Sequence, residues 1–122
     1  MLNESLLVML GGGLGSWLRF MLGRYGNPVF SSFPLGTFSA NALSCLILGF
    51  VAVLLYSRSD HPMRAFILVG FCGGFSTFST FSNESLTLLK AGDWLTFLGY
   101  ALGSFGVGLG MLLLGAWLGK AL

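Results

Sequence analysis

The residues best suited to chemistry lie in the stretch GFCGGFSTFSTFSNES, residues 70–85, which combines glycines, aromatic rings and hydroxyl groups. Its Phe-Ser-Thr triplets place Phe75, Phe78 and Phe81 three residues apart. In an α-helix, residues at this spacing are displaced by about 60° around the axis, so the rings and the serine hydroxyls form adjacent ridges. An aromatic ring has a positive edge. Rings that turn their edges to a narrow path would attract a small anion, whereas the same rings could instead pack against lipid.

Other polar residues are spaced so that they share a helical face. Thr37, Asn41 and Ser44 are four and three residues apart, and Tyr100 and Ser104 are four apart. Amide and hydroxyl groups donate hydrogen bonds, which can replace part of the hydration shell of an anion. A single group of this kind usually only bonds neighbouring helices together. Several aligned stripes in one small protein favour a path for an anion.

The charged residues also fit an anion better than a cation. Arg19 lies inside an apolar stretch, where it either raises the anion concentration in a wet vestibule or anchors the helix in one topology. Glu4 and Glu84 fall at predicted helix ends, so no carboxylate is expected deep in the membrane. A carrier of cations or protons would be expected to hold such an acid.

Apolar helices must position these residues, because the composition excludes a soluble domain. Of the 122 residues, 55% are hydrophobic and 8% are charged, against about 25% charged in typical soluble domains. The uncharged stretches are long enough for helices of the roughly 20 apolar residues that cross a bilayer. We therefore predict an all-α membrane protein whose residues 1–122 form a single four-helix transmembrane domain. The predicted spans are residues 2–22, 37–56, 65–83 and 94–118.

Glycines at the centre of the third span predict a break of that helix at the membrane midplane. They are Gly70, Gly73 and Gly74. Carbonyl groups freed by a break are tolerated only where they are buried in protein or line a wet cavity. In an antiparallel dimer the two breaks could meet near the axis, and carbonyls from both copies could hold a small hard cation such as Na⁺.

The basic residues give no preferred orientation in the membrane. Each predicted side holds three of them: Arg58, Arg64 and Lys120 on one, and Arg19, Arg24 and Lys90 on the other. Lys and Arg near span ends set orientation, so both orientations can be inserted and two opposed copies can pair about an axis in the membrane plane. We therefore expect a dual-topology, antiparallel homodimer.

Glycine faces could supply the contacts of that dimer or could pack only within one protomer. Small residues three and four apart let helix backbones approach closely in lipid. The residues concerned are Gly11 and Gly15 in the first span, and Gly99, Gly103, Gly106 and Gly110 in the last.

The remaining reactive side chains carry no enzymatic chemistry, since no nucleophile–base pair or metal-ligand cluster is visible. Cys45 and Cys72 lie in predicted spans, where thiols pack as small hydrophobes. His61 lies in a polar loop, and the net charge of +2 does not indicate a nucleic acid partner. The start MLNESLLVML lacks the basic opening and cleavage site of a secretory signal, so we expect it to begin the first span.

Three stretches closely resemble the small fluoride-channel family, called Fluc or CrcB. They are GGGLGSWLRF (11–20), GTFSANALSCLILGF (36–50) and GFCGGFSTFSTFSNES (70–85). The resemblance covers essentially the whole chain and implies an antiparallel dimer with two fluoride-conducting pores and a structural Na⁺ at its centre. The pore residues that it implies are the ring edges of Phe78 and Phe81, the amide of Asn41, and the hydroxyls of Ser79, Thr80, Thr37, Tyr100 and Ser104.

The same resemblance implies further roles at both ends of the path. The main-chain carbonyls of Gly73 and Ser76 would bind the Na⁺, and Arg19 and Glu84 would lie near the vestibules. Family members can carry another hydroxyl one turn beyond Ser104, where this chain has a glycine at 108.

The sequence thus predicts a fluoride channel that passively exports cytoplasmic fluoride across the plasma membrane, the inner membrane in a bacterium. Its expected partners are the fluoride ion, a second copy of the chain and the lipid bilayer. The alternative is a small multidrug-resistance type proton-coupled exporter, which needs an embedded glutamate in the first span. Residues 5–18 contain no acid. A non-conducting assembly subunit would explain the glycine faces but not the aligned polar stripes.

Overall fold

The computed structural model describes residues 2–29 and 32–122, and all regular elements in this part of the chain are helical. Helix α1 is followed by a 3₁₀ turn, and the third span begins with a π-helical segment. The elements are α1 (Leu2–Gly26), the 3₁₀ turn (Asn27–Val29), α2 (Leu35–Leu54), the π segment (Arg64–Phe71), α3 (Cys72–Phe75), α4 (Phe78–Lys90) and α5 (Trp94–Ala121).

Four helical stretches are long and apolar enough to cross a membrane, which confirms the predicted number of membrane helices. Their mean hydropathy lies between 1.4 and 2.0. The stretches are Asn3–Gly26, Leu35–Leu54, Arg64–Lys90 and Trp94–Ala121.

The third span runs further than predicted, so Glu84 lies inside α4 and not at its end. The helix stops at Lys90, where Gly92 takes a φ of 74° and its N–H donates to the carbonyl of Leu89 at 3.1 Å. Glycine adopts this left-handed conformation without the steric penalty of a side chain, and it commonly ends helices. Asp93 then begins the next helix, because its carboxylate accepts a hydrogen bond from the N–H of Thr96 at 3.2 Å.

The glycines expected to interrupt the third span are themselves helical. Gly70 belongs to the π segment, and Gly73 and Gly74 belong to α3. The extended residues come just after them: Ser76 has φ −84° and ψ 154°, and Thr77 has φ −154° and ψ 123°. The local cause is a helix cap, since the Thr77 hydroxyl accepts the N–H of Thr80 and so begins α4.

These extended residues also divide the row of phenylalanines, which was predicted as one continuous ridge. Phe75 precedes them and is buried against Phe71, with ring centroids 5.2 Å apart. Phe78 and Phe81 follow them on α4, with ring centroids 5.9 Å apart. Of the three predicted rings, only those of Phe78 and Phe81 can therefore line the same surface.

The helices pack as two close pairs that meet main chain to main chain. In α1, Gly11 and Gly15 lie against the carbonyls of Phe66 and Phe71, so these glycines pack within the protomer. The second pair joins α2 and α5, where Gly115 lies against the carbonyl of Leu46. A side chain at these glycines would force the backbones apart.

The glycines of α5 behave differently from those of α1. A Cβ atom added at Gly99, Gly106 or Gly110 would meet no atom within 4 Å, and all three residues are exposed. Large apolar side chains such as Leu102 and Phe105 are also exposed on this helix, at 70% and 75%. Among the described residues, therefore, nothing packs on these positions of α5.

Candidate functional site

A groove of about 520 Å³ opens between α2, α4 and α5, next to the extended residues. None of the residues that line it is ionised at neutral pH. They are Asn41, Cys45, Ser76, Thr77, Phe78, Phe81, Ala101, Ser104, Phe105 and Gly108. An ion in this groove would meet rings, hydroxyls and an amide, and no fixed charge.

Asn41 is bound to the main chain of Thr77 in both directions. The N–H of Thr77 donates to Asn41 Oδ1 at 2.7 Å, and Asn41 Nδ2 donates to the Thr77 carbonyl at 3.3 Å. An amide nitrogen carries two hydrogens. One N–H of Asn41 therefore remains for a groove occupant, and the two bonds hold its direction.

A cluster of hydroxyls surrounds the start of α4. Thr77 Oγ1 accepts the N–H of Thr80 at 3.1 Å and donates to Thr80 Oγ1 at 3.2 Å. It lies 3.3 Å from Ser79 Oγ, whose side chain is exposed. The hydroxyls of Ser79 and Thr80, which were predicted for the path, are thus grouped around the Thr77 hydroxyl, which was not predicted.

The two phenylalanine rings of α4 have different surroundings. Phe78 is 79% exposed, whereas Phe81 is partly buried against Tyr100 with ring centroids 4.9 Å apart. Tyr100 is fully buried and also meets the ring of Phe33, at 5.4 Å. Phe81 therefore joins the groove to a second polar cluster around Tyr100.

That second cluster is built on the carboxylate of Glu84. The hydroxyl of Tyr100 donates to Glu84 Oε1 at 3.3 Å, and Asn27 Nδ2 donates to Glu84 Oε2 at 3.0 Å. Asn27 also reaches Thr37, which is only 2% exposed: its Oδ1 accepts the Thr37 N–H at 3.0 Å, and its Nδ2 lies 3.4 Å from Thr37 Oγ1. Residues from four parts of the chain meet here.

The serines predicted on the polar faces of α2 and α5 have different environments: one bonds two helices together and the other lines the groove. Ser44, predicted on the α2 stripe, donates to the carbonyl of Cys72 at 3.1 Å, so it bonds two helices together. Ser104 lines the groove, and its Oγ is buried without a hydrogen-bond partner among the described residues. One turn further, the Cβ position of Gly108 lies 3.6 Å from Cys45 Sγ, so a thiol borders the groove there.

Arg19 lies away from the groove and binds the end of α3. Its Nε donates to the carbonyl of Gly74 at 2.9 Å. Among the described residues, no hydrogen bond is made to the carbonyls of Gly73 or Ser76. A positive guanidinium is favourable at the carboxyl end of a helix, where carbonyl groups lack partners.

The structure thus brings most of the predicted residues into two neighbouring sites. Asn41, Phe78, Phe81 and Ser104 share the groove, while Thr37, Glu84 and Tyr100 share the second cluster. Sequence reasoning missed two partners. Thr77 could have been found as the Thr residue that begins a helix, and Asn27 has only the weak signal of an Asn-Pro turn after α1.

Four membrane-capable helices, with a groove free of charged side chains between three of them, define a multi-pass membrane protein. Residues 6–116 match the family model described as "CrcB-like protein, Camphor Resistance (CrcB)". The chain belongs to this family, which confirms the resemblance found in the sequence.

Relatives of nearly equal length carry the name "Fluoride-specific ion channel FluC". That from Nitratidesulfovibrio vulgaris is 45% identical, and the alignment covers 98% of each chain. Those from Phocaeicola vulgatus and Chloroflexus aurantiacus are 43% and 38% identical, over 98% of this chain and 100% and 97% of theirs. These names describe ion channels and not enzymes, in agreement with the class predicted from the sequence.

Proposed function

We propose that this chain is a fluoride-selective channel through which cytoplasmic fluoride leaves the cell passively. The observation that carries the proposal is the groove in which Phe78, Phe81, Asn41 and Ser104 meet without a charged neighbour. The name shared by the relatives supports fluoride as the ion. The membrane concerned is the plasma membrane, the inner membrane in a bacterium.

The groove offers a small anion weak contacts of several kinds. The edges of the Phe78 and Phe81 rings carry partial positive charge. The free N–H of Asn41 and the Ser104 hydroxyl, which has no protein partner among the described residues, add two donors. Conduction requires binding strong enough for entry and weak enough for exit, and rings with a few donors meet that condition better than a fixed positive charge.

The path continues from the groove along hydroxyl groups. Ser79 and Thr80 are grouped around Thr77, which lines the groove, and Tyr100 lies beyond the ring of Phe81 in the cluster that holds Thr37. Glu84 and Arg19 lie at its vestibules. Arg19 uses Nε for the Gly74 carbonyl, so its terminal N–H groups remain to attract anions.

The working unit is an antiparallel, dual-topology homodimer with two pores, in which the interrupted third span lies at the membrane midplane. The balance of basic residues supports dual insertion, and the exposed glycines of α5 offer a surface for a second copy. The exposed loop residue Ser59 provides the test. With Cys45 and Cys72 replaced by alanine, Ser59→Cys should react with an impermeant thiol reagent from both sides of the membrane. Reaction from one side only would exclude dual topology.

A structural Na⁺ would fit the carbonyls of Gly73 and Ser76. Both lack hydrogen-bond partners among the described residues, and a Cβ at Gly73 would meet nothing within 4 Å, so the space beside it is open. Neutral carbonyl oxygens are suitable ligands for a hard cation. Its chemistry would be to join the two copies without taking part in transport. The thermal unfolding midpoint should then rise in Na⁺ relative to an equal concentration of N-methylglucamine; equal midpoints would exclude the site.

Ion efflux from liposomes tests the function. Purified protein should release fluoride, followed with a fluoride electrode, much faster than chloride. Release no faster than from protein-free liposomes, or chloride release at the same rate, would contradict the proposal. The proton-coupled exporter is disfavoured by the ion-channel names of the relatives. It also predicts efflux that depends on a pH gradient, which the channel does not.

A further inference from the structure

Asn27 is the hydrogen-bonding centre of the Glu84 cluster, although it lies in the turn between α1 and α2. Its Oδ1 accepts the Thr37 N–H at 3.0 Å, and its Nδ2 donates to Glu84 Oε2 at 3.0 Å. One amide therefore connects the end of α1 to the start of α2 and to the middle of α4. Its side chain makes three of the cluster's hydrogen bonds, two to Thr37 and one to Glu84.

The first contact supplies a cap that α2 lacks locally. The residue before α2 is Pro34, whose side chain makes no capping hydrogen bond, and the first N–H groups of a helix have no partner within it. Asn27 can reach α2 because the backbones are close here: a Cβ at Gly36 would lie 2.9 Å from Asn27 Oδ1. This contact needs only an acceptor, so an aspartate would serve it equally well.

The second contact needs a donor and fixes the Glu84 side chain. Each carboxylate oxygen of Glu84 has its own donor, Asn27 Nδ2 on Oε2 and the Tyr100 hydroxyl on Oε1. Two donors from different elements hold the plane of the carboxylate. The direction of the Tyr100 hydroxyl then depends on Glu84, and through Glu84 on Asn27.

We propose that Asn27 is a positioning residue of the conduction path: its amide orients the Glu84 carboxylate and, through it, the Tyr100 hydroxyl beside Thr37. This inference rests on the proposed function, because it assigns Glu84, Tyr100 and Thr37 to the path. Asn27 itself need not touch the ion.

Asn27→Asp separates positioning from capping. The aspartate keeps the acceptor for the Thr37 N–H but has no donor for Glu84 and places a second carboxylate beside it. Loss of a hydrogen bond to a charged group leads us to expect fluoride efflux from liposomes to fall by roughly ten- to a hundredfold. Asn3→Asp, the same change at an exposed position in the first turn of α1, is the matched control and should leave efflux unchanged.

The double variant Asn27→Asp with Glu84→Gln exchanges the amide and the carboxylate. It restores one donor and one acceptor at the same net charge, and the glutamine oxygen still accepts from Tyr100. We expect it to conduct fluoride faster than Asn27→Asp alone and to recover its thermal unfolding midpoint. Size-exclusion chromatography and unfolding midpoints are recorded for every variant.

Three outcomes would overturn the inference: efflux through Asn27→Asp equal to the wild type, an exchange variant no faster than Asn27→Asp, or efflux losses that only follow the fraction of folded protein. In each case the wild type still conducts fluoride, so the proposed function survives. A wild-type protein that releases no fluoride would overturn both proposals.

Discussion

The side-chain amide of Asn41 binds the main chain of Thr77 through both of its polar atoms: its oxygen accepts the Thr77 N–H at 2.7 Å, and its nitrogen donates to the Thr77 carbonyl at 3.3 Å. Thr77 has an extended backbone, and among the described residues neither its N–H nor its carbonyl bonds to the main chain of a flanking helix. The α2 side chain replaces the missing helical partners. The same bonds hold Asn41 in the wall of the groove, so the backbone of the third span and the direction of the Asn41 amide depend on each other.

Replacing Asn41 by alanine tests this dependence. The variant leaves the Thr77 N–H and carbonyl without partners, and because Thr77 is partly buried each loss should cost up to about 1–3 kcal/mol. We expect a lower thermal unfolding midpoint in detergent, together with slower fluoride efflux. Asn83→Ala is the control, because Asn83 is exposed and its side chain makes no hydrogen bond to any residue that the structure describes. An unchanged midpoint in Asn41→Ala would show that these bonds do not hold the extended segment.

The two α4 rings should contribute equally to conduction but unequally to stability. Phe78→Ile and Phe81→Ile each remove one aromatic edge, so we expect fluoride efflux to fall by roughly two- to tenfold. Only Phe81→Ile should also lower the unfolding midpoint, because Phe81 packs on Tyr100 whereas Phe78 is 79% exposed. Phe20→Ile, at an exposed position of α1, controls for loss of a ring facing lipid. Wild-type efflux in both α4 variants would remove the rings from the mechanism.

The contact between α1 and the third span predicts opposite effects for two nearby glycines. A Cβ at Gly15 would lie 2.8 Å from the nitrogen of Phe75, so Gly15→Ala forces the helices apart and should destabilise the protein by about 1–3 kcal/mol. A Cβ at Gly13 would meet nothing within 4 Å, so Gly13→Ala should be neutral or stabilising by up to about 1 kcal/mol. The thermal unfolding midpoint of Gly15→Ala should therefore lie below that of Gly13→Ala. Equal midpoints would contradict the close packing of α1 on the third span at Gly15.

Arg19→Lys separates the charge of Arg19 from its hydrogen bond. Lysine keeps the positive charge but lacks the Nε–H that donates to the Gly74 carbonyl, so we expect destabilisation by about 1–3 kcal/mol. Attraction of fluoride by charge should persist, and efflux should still fall as the salt concentration rises. Arg24→Lys at an exposed position is the control. Wild-type stability in Arg19→Lys would reduce Arg19 to a vestibule charge.

The helices could be predicted because long apolar stretches have few alternatives to a membrane helix. The ends of the helices could not be predicted in the same way. The charge of Glu84 suggested the end of a span, but the helix continues past it because Asn27 and Tyr100 supply hydrogen bonds to its carboxylate. Glycine content likewise predicted an interruption near residues 70–74, but the extended residues are Ser76 and Thr77. The Thr77 cap gives a local signal for that position, but the bond from the Thr77 N–H to Asn41, 36 residues away, is a contact that local propensity cannot reveal.

The site was predicted as a set of residues, but its connections were not. Period and residue type placed Asn41, Phe78 and Phe81 on suitable faces, and the structure gathers them in one groove. Ser44 is on the same face of α2 as Asn41, yet it does not line the groove and instead donates to the carbonyl of Cys72. Only part of that helical face borders the groove, which the spacing of residues cannot show. Asn27 lies in a turn outside any periodic pattern, so only the folded chain shows what it contacts.

The reversal potential of the current in planar lipid bilayers tests the central claim most directly. With a tenfold fluoride gradient and equal chloride on both sides, a passive fluoride channel should reverse close to about 59 mV, the value for a monovalent ion. The potential should not move when a pH gradient is added. Reversal near zero would show that the pore does not select fluoride, and a shift with the pH gradient would show coupling to protons; either result would contradict the account.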